Sequence, residues 1–193
     1  MSYSSLVYRK QGGAELVVAS GGSIDVESGG TLELAGTAIT ATAAELNAVA
    51  DTSGRLVSAG ATLAVTVAAH DGRIIVLDAL AGSVCTLPSA AGTGAIFRFV
   101  VGVLATSVSH IVKVTTTDVM AGLISTVDSD TAGTIRAWAT AADSDTITLN
   151  RSTTGSVTRG EWLEVIDYAA GLWLVKGVLS GTGDGATPFS AAV

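Results

Sequence analysis

Two consecutive octads, ASGGSIDV at 19–26 and ESGGTLEL at 27–34, match as x-S-G-G-[ST]-[IL]-[DE]-[VL], and a degenerate copy, QGGAELVV at 11–18, precedes them. Leu16, Ile24 and Leu32 therefore recur every eight residues, and Val18, Val26 and Leu34 do the same. Asp25 and Glu33 separate the apolar pair in the second and third copies, with Glu15 offset in the first. This is period-two alternation, one apolar face and one wet face, and each copy reads as a turn plus a short strand. So few short strands cannot bury that face within one chain, whereas three chains wound about an axis set three copies of each apolar residue against one another. An intertwined homotrimer is expected, with its interface at Leu16, Val18, Ile24, Val26, Leu32 and Leu34. An edge hairpin packed on the chain's own downstream domain satisfies the same pattern.

After the repeat, Thr42 followed by Glu45 has the form of a capping box and predicts a short helix over 43–49, with Leu46 and Val49 on one face. Two turns have no independent stability, so the helix is expected as a docked collar. The run from Asp51 to Gly54 ends it. From Leu56 onward, short strand candidates follow one another at 62–67, 74–77, 84–87, 96–101, 111–114, 122–125, 134–139, 146–150, 161–166 and 172–178, separated by turns containing Gly, Ser or Asp. The expected fold class is all-β: an N-terminal arm of octad repeats (1–41), a helix and linker (42–54), a compact sandwich or barrel of jelly-roll type (55–180), and a tail (181–193) that is either a frayed end or an arm ordered by a partner. In the last two strands, Trp162, Glu164 and Ile166 alternate with Leu163 and Val165, and Trp173 and Val175 alternate with Leu172 and Leu174, so both strands are expected to bury a face on each side.

Composition agrees and removes whole classes of function. Gly supplies 23 residues and Pro only 2, which favours strands and tight turns, and the aromatic share is 5%. With large side chains scarce, part of the stability is expected from association. A net charge of -7 and a pI near 4.6 argue against nucleic acid, whose phosphates need clustered Lys and Arg. The mean hydropathy of +0.55 is high, yet the most apolar stretch, 95–105, is broken by Arg98 and falls short of the roughly 20 residues of a membrane span. MSYSSLVYRK lacks the apolar core of a secretion signal, so a soluble product made in the cytoplasm is expected. The single cysteine, Cys85, sits between Val84 and Thr86 and reads as a small buried apolar residue.

Catalytic material is thin, and no enzyme activity and no cofactor are expected. His70 and His110 lie in no nucleophile-elbow or zinc-ligand spacing and read as turn or strand-end residues. Asp128 with Asp130, and Asp143 with Asp145, form two D-S-D loops that offer oxygens to calcium, but calcium takes six to eight, which leaves solvated loops or copies combined on a trimer axis. Glu161 and Glu164 sit in a strand that reads as structural, not as a glycosidase pair. GTGDG at 181–185 lacks the strand and helix that bracket a phosphate loop. Trp138, Trp162 and Trp173 read first as core, with a carbohydrate-binding surface as the other role.

The SGG octads followed by AGTAITATAAELN resemble a segment of tailed-phage virion proteins, including head fibres, decoration proteins and tail fibres. The stretch HDGRIIVLDALAGSVCTLPSAAGTGAIFRFVVG (70–102) and the closing GEWLEVIDYAAGLWLVKG (160–177) are similar to the compact β domain of such proteins. The resemblance implies a trimeric capsid decoration or head-fibre protein on the virion exterior, with itself and the major capsid protein as partners. It supplies no fixed set of binding residues. For the capsid-facing part, Tyr3, Leu6, Val7, Tyr8, Arg9 and Lys10 combine apolar anchors with the only early positive charges; the opposite polarity seats the β domain on the shell. The other reading is a short head or tail fibre whose distal domain binds a host-surface glycan or protein.

Overall fold

The computed structural model describes residues 6–13, 15–50, 53–115, 117–131 and 133–193. The chain is mostly β and divides into two compact units, Met1–Ala50 and Asp51–Val193.

In the first unit, β1 (Val7–Arg9) pairs antiparallel with β2 (Leu16–Val18), Tyr8 opposite Val17. The repeat uses one turn three times. The second glycine of each Gly-Gly pair donates its N–H to the carbonyl three residues earlier: Gly13 to Lys10 (2.8 Å), Gly22 to Ala19 (2.8 Å) and Gly30 to Glu27 (2.9 Å). The first glycine of each pair, Gly12, Gly21 and Gly29, takes a positive φ of 108°, 83° and 88°, a conformation open to glycine and costly to other residues. The octads are thus turn units, but only part of the expected strand forms. β3 (Glu33–Leu34) closes a two-residue hairpin with β4 (Thr37–Ala38) through Ala35 and Gly36, both at positive φ, while 23–26 enters no ladder in a single chain that offers it no neighbouring strand.

The helix α1 (Ala43–Ala50) opens on the expected capping box. Glu45 N donates to Thr42 Oγ1 at 3.2 Å and Thr42 N donates to the Glu45 carboxylate at 2.7 Å.

The second unit begins with a 3-10 turn, Ser53–Arg55, and then runs β5 (Leu56–Ser58), β6 (Thr62–Ala64), α2 (Val67–His70), β7 (Ile74–Leu77), β8 (Val84–Thr86), β9 (Ile96–Val101) and β10 (His110–Lys113). Its second half comprises β11 (Val119–Asp128), β12 (Ile135–Ala139), β13 (Thr146–Leu149), β14 (Trp162–Ala169), β15 (Leu172–Gly181) and β16 (Phe189–Ser190). Two mixed sheets result, one of order β12-β11-β15-β14-β9-β7-β5 and one of order β16-β13-β10-β8-β6. From β5 to β10 the chain changes sheet at every strand, so β5, β7 and β9 stack in parallel in the larger sheet and β6, β8 and β10 in the smaller one. These three rungs differ from a jelly roll, whose strands are antiparallel Greek keys. Crossing to the opposite sheet lets parallel neighbours form without a helical crossover.

The core lies between the sheets. Ile75, Leu77, Phe97, Phe99, Leu163 and Trp173 from the larger sheet meet Cys85, Val112, Ile147 and Leu149 from the smaller, and the rings of Phe97 and Trp173 lie 5.7 Å apart. Where a strand was expected over 62–67, it stops at Ala64, because Thr66 caps a single helical turn and its Oγ1 accepts the Ala69 N–H. The C-terminal residues, expected as a frayed end or an arm, belong to this unit instead: Phe189 is buried, β16 pairs with β13, and Asp145 accepts the Ala192 and Val193 N–H groups at 2.8 and 3.1 Å. Phe189 supplies the apolar anchor that the Gly- and Ala-rich composition of this stretch obscures.

Candidate functional site

The six residues expected at a trimer interface are all exposed in the single chain: Leu16 (60%), Val18 (41%), Ile24 (59%), Val26 (47%), Leu32 (53%) and Leu34 (66%). Nothing in the first unit covers them. Of the expected capsid-contact residues, Tyr3 lies outside the described residues; Leu6 and Tyr8 are exposed and Val7 is half-buried. The two cations serve the first hairpin: Arg9 Nη2 donates to the Gly13 carbonyl at 2.9 Å, and Lys10 Nζ pairs with Glu15 at 3.1 Å. Both remain exposed at the surface.

The second unit carries an apolar surface that the sequence reading did not locate. On the outer face of the larger sheet, cross-strand partners form one row across all seven strands: Leu56 beside Ile74, Ile74 beside Arg98, Arg98 beside Glu164, Glu164 beside Lys176, Lys176 beside Leu123, and Leu123 beside Ala139. A second row runs Val76, Val100, Trp162, Val178, Ser125 and Ala137. An antiparallel or mixed sheet with one wet face normally carries polar residues there. Here the only charges are the central three, and Glu164, itself buried, is held by Arg98 Nε at 2.6 Å and Lys176 Nζ at 2.8 Å. These two hydrogen-bonded cations, Lys176 foremost, hold the Glu164 carboxyl below its usual value despite burial. The available signal was the alternation of Trp162, Glu164 and Ile166, which predicts a second buried face without saying what buries it. A shallow groove of about 360 Å³ opens on this face where Gly122 and Ala121 leave space between Leu123 and Ile166.

The remaining candidates are occupied structurally. His110 is fully buried, its Nδ1 accepting the Ser83 N–H at 2.9 Å and its Nε2 lying 2.8 Å from the Val103 carbonyl, which makes Nε2 the protonated nitrogen. His70 ends α2 and its Nδ1 accepts the Thr66 N–H at 3.0 Å. In the first D-S-D loop, Asp128 Oδ1 accepts the N–H groups of Asp130 and Thr131, and Asp130 accepts that of Gly183. In the second, Asp145 holds the C-terminal residues and the Thr146 hydroxyl. Among the described residues, no group of three or more His, Cys, Asp or Glu side chains is placed to hold a metal ion. Trp173 is core, Trp138 packs against the core, and Trp162 is 38% exposed on the outer face.

Buried carboxylates organise the loops. Glu161 accepts N–H groups from Ser156, Val157 and Thr158 and the Ser180 hydroxyl, so it is a loop anchor rather than half of an acid pair with Glu164. Asp167 collects the N–H groups of Ala91, Gly92 and Thr93. Burial raises its proton affinity, but the hydrogen bonds from Thr93, Gly92 and Ala91 outweigh it and leave the carboxyl below its usual range. Burial, followed by the nearby Asp78 charge, pushes the Cys85 thiol up to about 12, so it is an unreactive core residue.

No helix among the described residues is long and apolar enough to cross a membrane. No family model matches the chain, and no match was found among curated proteins or solved structures.

Proposed function

We propose that the chain is a non-enzymatic structural component of a tailed-phage virion, a homotrimer that decorates the capsid exterior and stabilises it by adding interface between neighbouring capsomers. The observation that carries this reading is the repeat itself: three equivalent Gly-Gly turns present Leu16, Ile24, Leu32 and their partners two residues on as exposed apolar side chains. Three chains about one axis give those residues a common core, and a symmetric trimer lets three weak contacts with a shell act together. The residues at 6–10, with exposed Leu6 and Tyr8 beside Arg9 and Lys10, supply the capsid-facing contact in this reading.

The test is the solution mass of the protein by sedimentation, with and without residues 1–36, followed by co-sedimentation with capsids. A mass near three times 19.1 kDa that falls on truncation, together with capsid binding, supports the proposal. A monomer in both forms removes its physical basis. A trimer that ignores capsids but binds a host glycan on an array favours a short receptor-binding fibre, for which exposed Trp162 is the aromatic at hand.

A further inference from the structure

We propose that the outer face of the seven-stranded sheet is a second interface between copies of this chain, with Arg98, Glu164 and Lys176 at its middle. This contact shares the homo-oligomer of the proposed function but does not depend on a virion role.

The argument rests on area and charge. Leu56 (66%), Leu123 (60%), Ile135 (65%), Trp162 (38%), Val127 (36%) and Val178 (36%) are exposed on this one face. Cross-strand pairing places them all on the same side, with Val127 opposite Ile135 and Trp162 opposite Val178. Together with the half-buried Ile and Val side chains between them, they present on the order of 800 Å² of apolar surface, about what each partner contributes to a standard stable interface. The largest apolar patch on an ordinary monomer is roughly 300–600 Å². A strand such as β14, with Leu163 and Val165 in the core and Trp162 and Ile166 opposite, has the two-sided apolar pattern of a sheet covered on both faces.

The charges select a second copy as the cover. Glu164 is already paired within its own chain, so the face presents no uncompensated anion to a partner. What it does present is two half-exposed cations, Arg98 and Lys176, at 58% and 60%. Other copies of a chain with 17 acidic and 10 basic residues bring an excess of carboxylates to them.

The experiment uses single cysteines in the whole chain, because native Cys85 is fully buried. Leu123→Cys and Leu80→Cys sit at nearly equal exposure in the single chain, 60% and 61%, but only Leu123 lies on the face. At a concentration where sedimentation gives an oligomer, maleimide labelling at position 123 is expected to be at least tenfold slower than at position 80; equal rates overturn the proposal. As a second arm, Leu123→Glu with Ile135→Glu, checked for native circular dichroism, is expected to weaken association at least tenfold, and an unchanged mass overturns it. The companion pair Ile24→Glu with Leu32→Glu separates the two interfaces: loss of assembly there but not in the sheet variant leaves the octad interface standing and rejects this one. A stable oligomer with a protected position 123 that does not bind capsids rejects the virion role and retains this interface.

Discussion

The Asp167 carboxylate receives both the backbone N–H of Thr93, at 3.0 Å, and its hydroxyl, at 2.6 Å, from a loop more than seventy residues away in the sequence. With Ala91 and Gly92 also donating to it, one side chain fixes the loop between β8 and β9 against β14. Asp167→Ala strands three N–H groups and is expected to cost about 2–4 kcal/mol in a urea titration. The same bond set gives the pH dependence. Asp167, Asp145 and Glu164 all have folded pKa values below their unfolded ones, so their contribution is complete above the unfolded values near pH 4 and is lost as pH falls through the folded ones. Stability measured by denaturation is expected to be level from about pH 7 to pH 5 and to fall below about pH 4, less steeply in Asp167→Ala.

Gly122 marks the closest approach of two strands. A Cβ there would fall on the Val175 carbonyl of β15, at a separation no atom pair tolerates. Gly122→Ala must push β11 off β15 along their ten-residue parallel ladder, and a loss of about 4 kcal/mol or more, seen as a collapse of melting temperature, is expected. Gly133→Ala, whose Cβ meets nothing within 4 Å but whose φ is positive, should cost only about 1–2 kcal/mol.

The Arg98, Glu164 and Lys176 cluster should respond non-additively. Arg98→Met with Lys176→Met leaves a buried carboxylate without a partner and is expected to destabilise by about 3 kcal/mol. Adding Glu164→Met to the pair removes that anion and should restore most of the loss. Chemical denaturation of the double and triple variants measures the difference, and a triple variant weaker than the double contradicts this account.

Phe189→Ala should behave as a core truncation and not as a change in a loose end. A cost of about 3 kcal/mol is expected, together with faster hydrogen exchange in β13.

What could be read in the sequence was what depends on neighbours in the chain. The Thr42 and Glu45 capping box and the Gly-Gly turns are local devices, and both form as their residues dictate. The strands at 74–77 and 96–101 were equally plain, since alternating apolar runs bounded by turn residues leave little choice. Strand order was not legible, because the alternation of β5 to β10 between two sheets depends on which distant strand completes each ladder. β5 and β16 escaped notice as short segments whose pairing is wholly non-local. The outer face was half visible: Trp162, Glu164 and Ile166 announced a second apolar side, but its breadth emerges only when strands separated by more than a hundred residues lie in one sheet.

The rungs also set a schedule. β5 to β10 each find their parallel neighbour about twenty residues along the chain, so a growing chain can assemble them as they emerge from the ribosome. β11 cannot do so, because β15, with which it pairs along its whole length, is made some fifty residues later, and β14, which joins β15 to β9, is equally late. Until then the larger sheet is two fragments and its outer face is incomplete. Self-recognition through that face is thereby withheld from nascent chains on a polysome, where neighbouring copies are most crowded, and is granted only to chains that have finished folding.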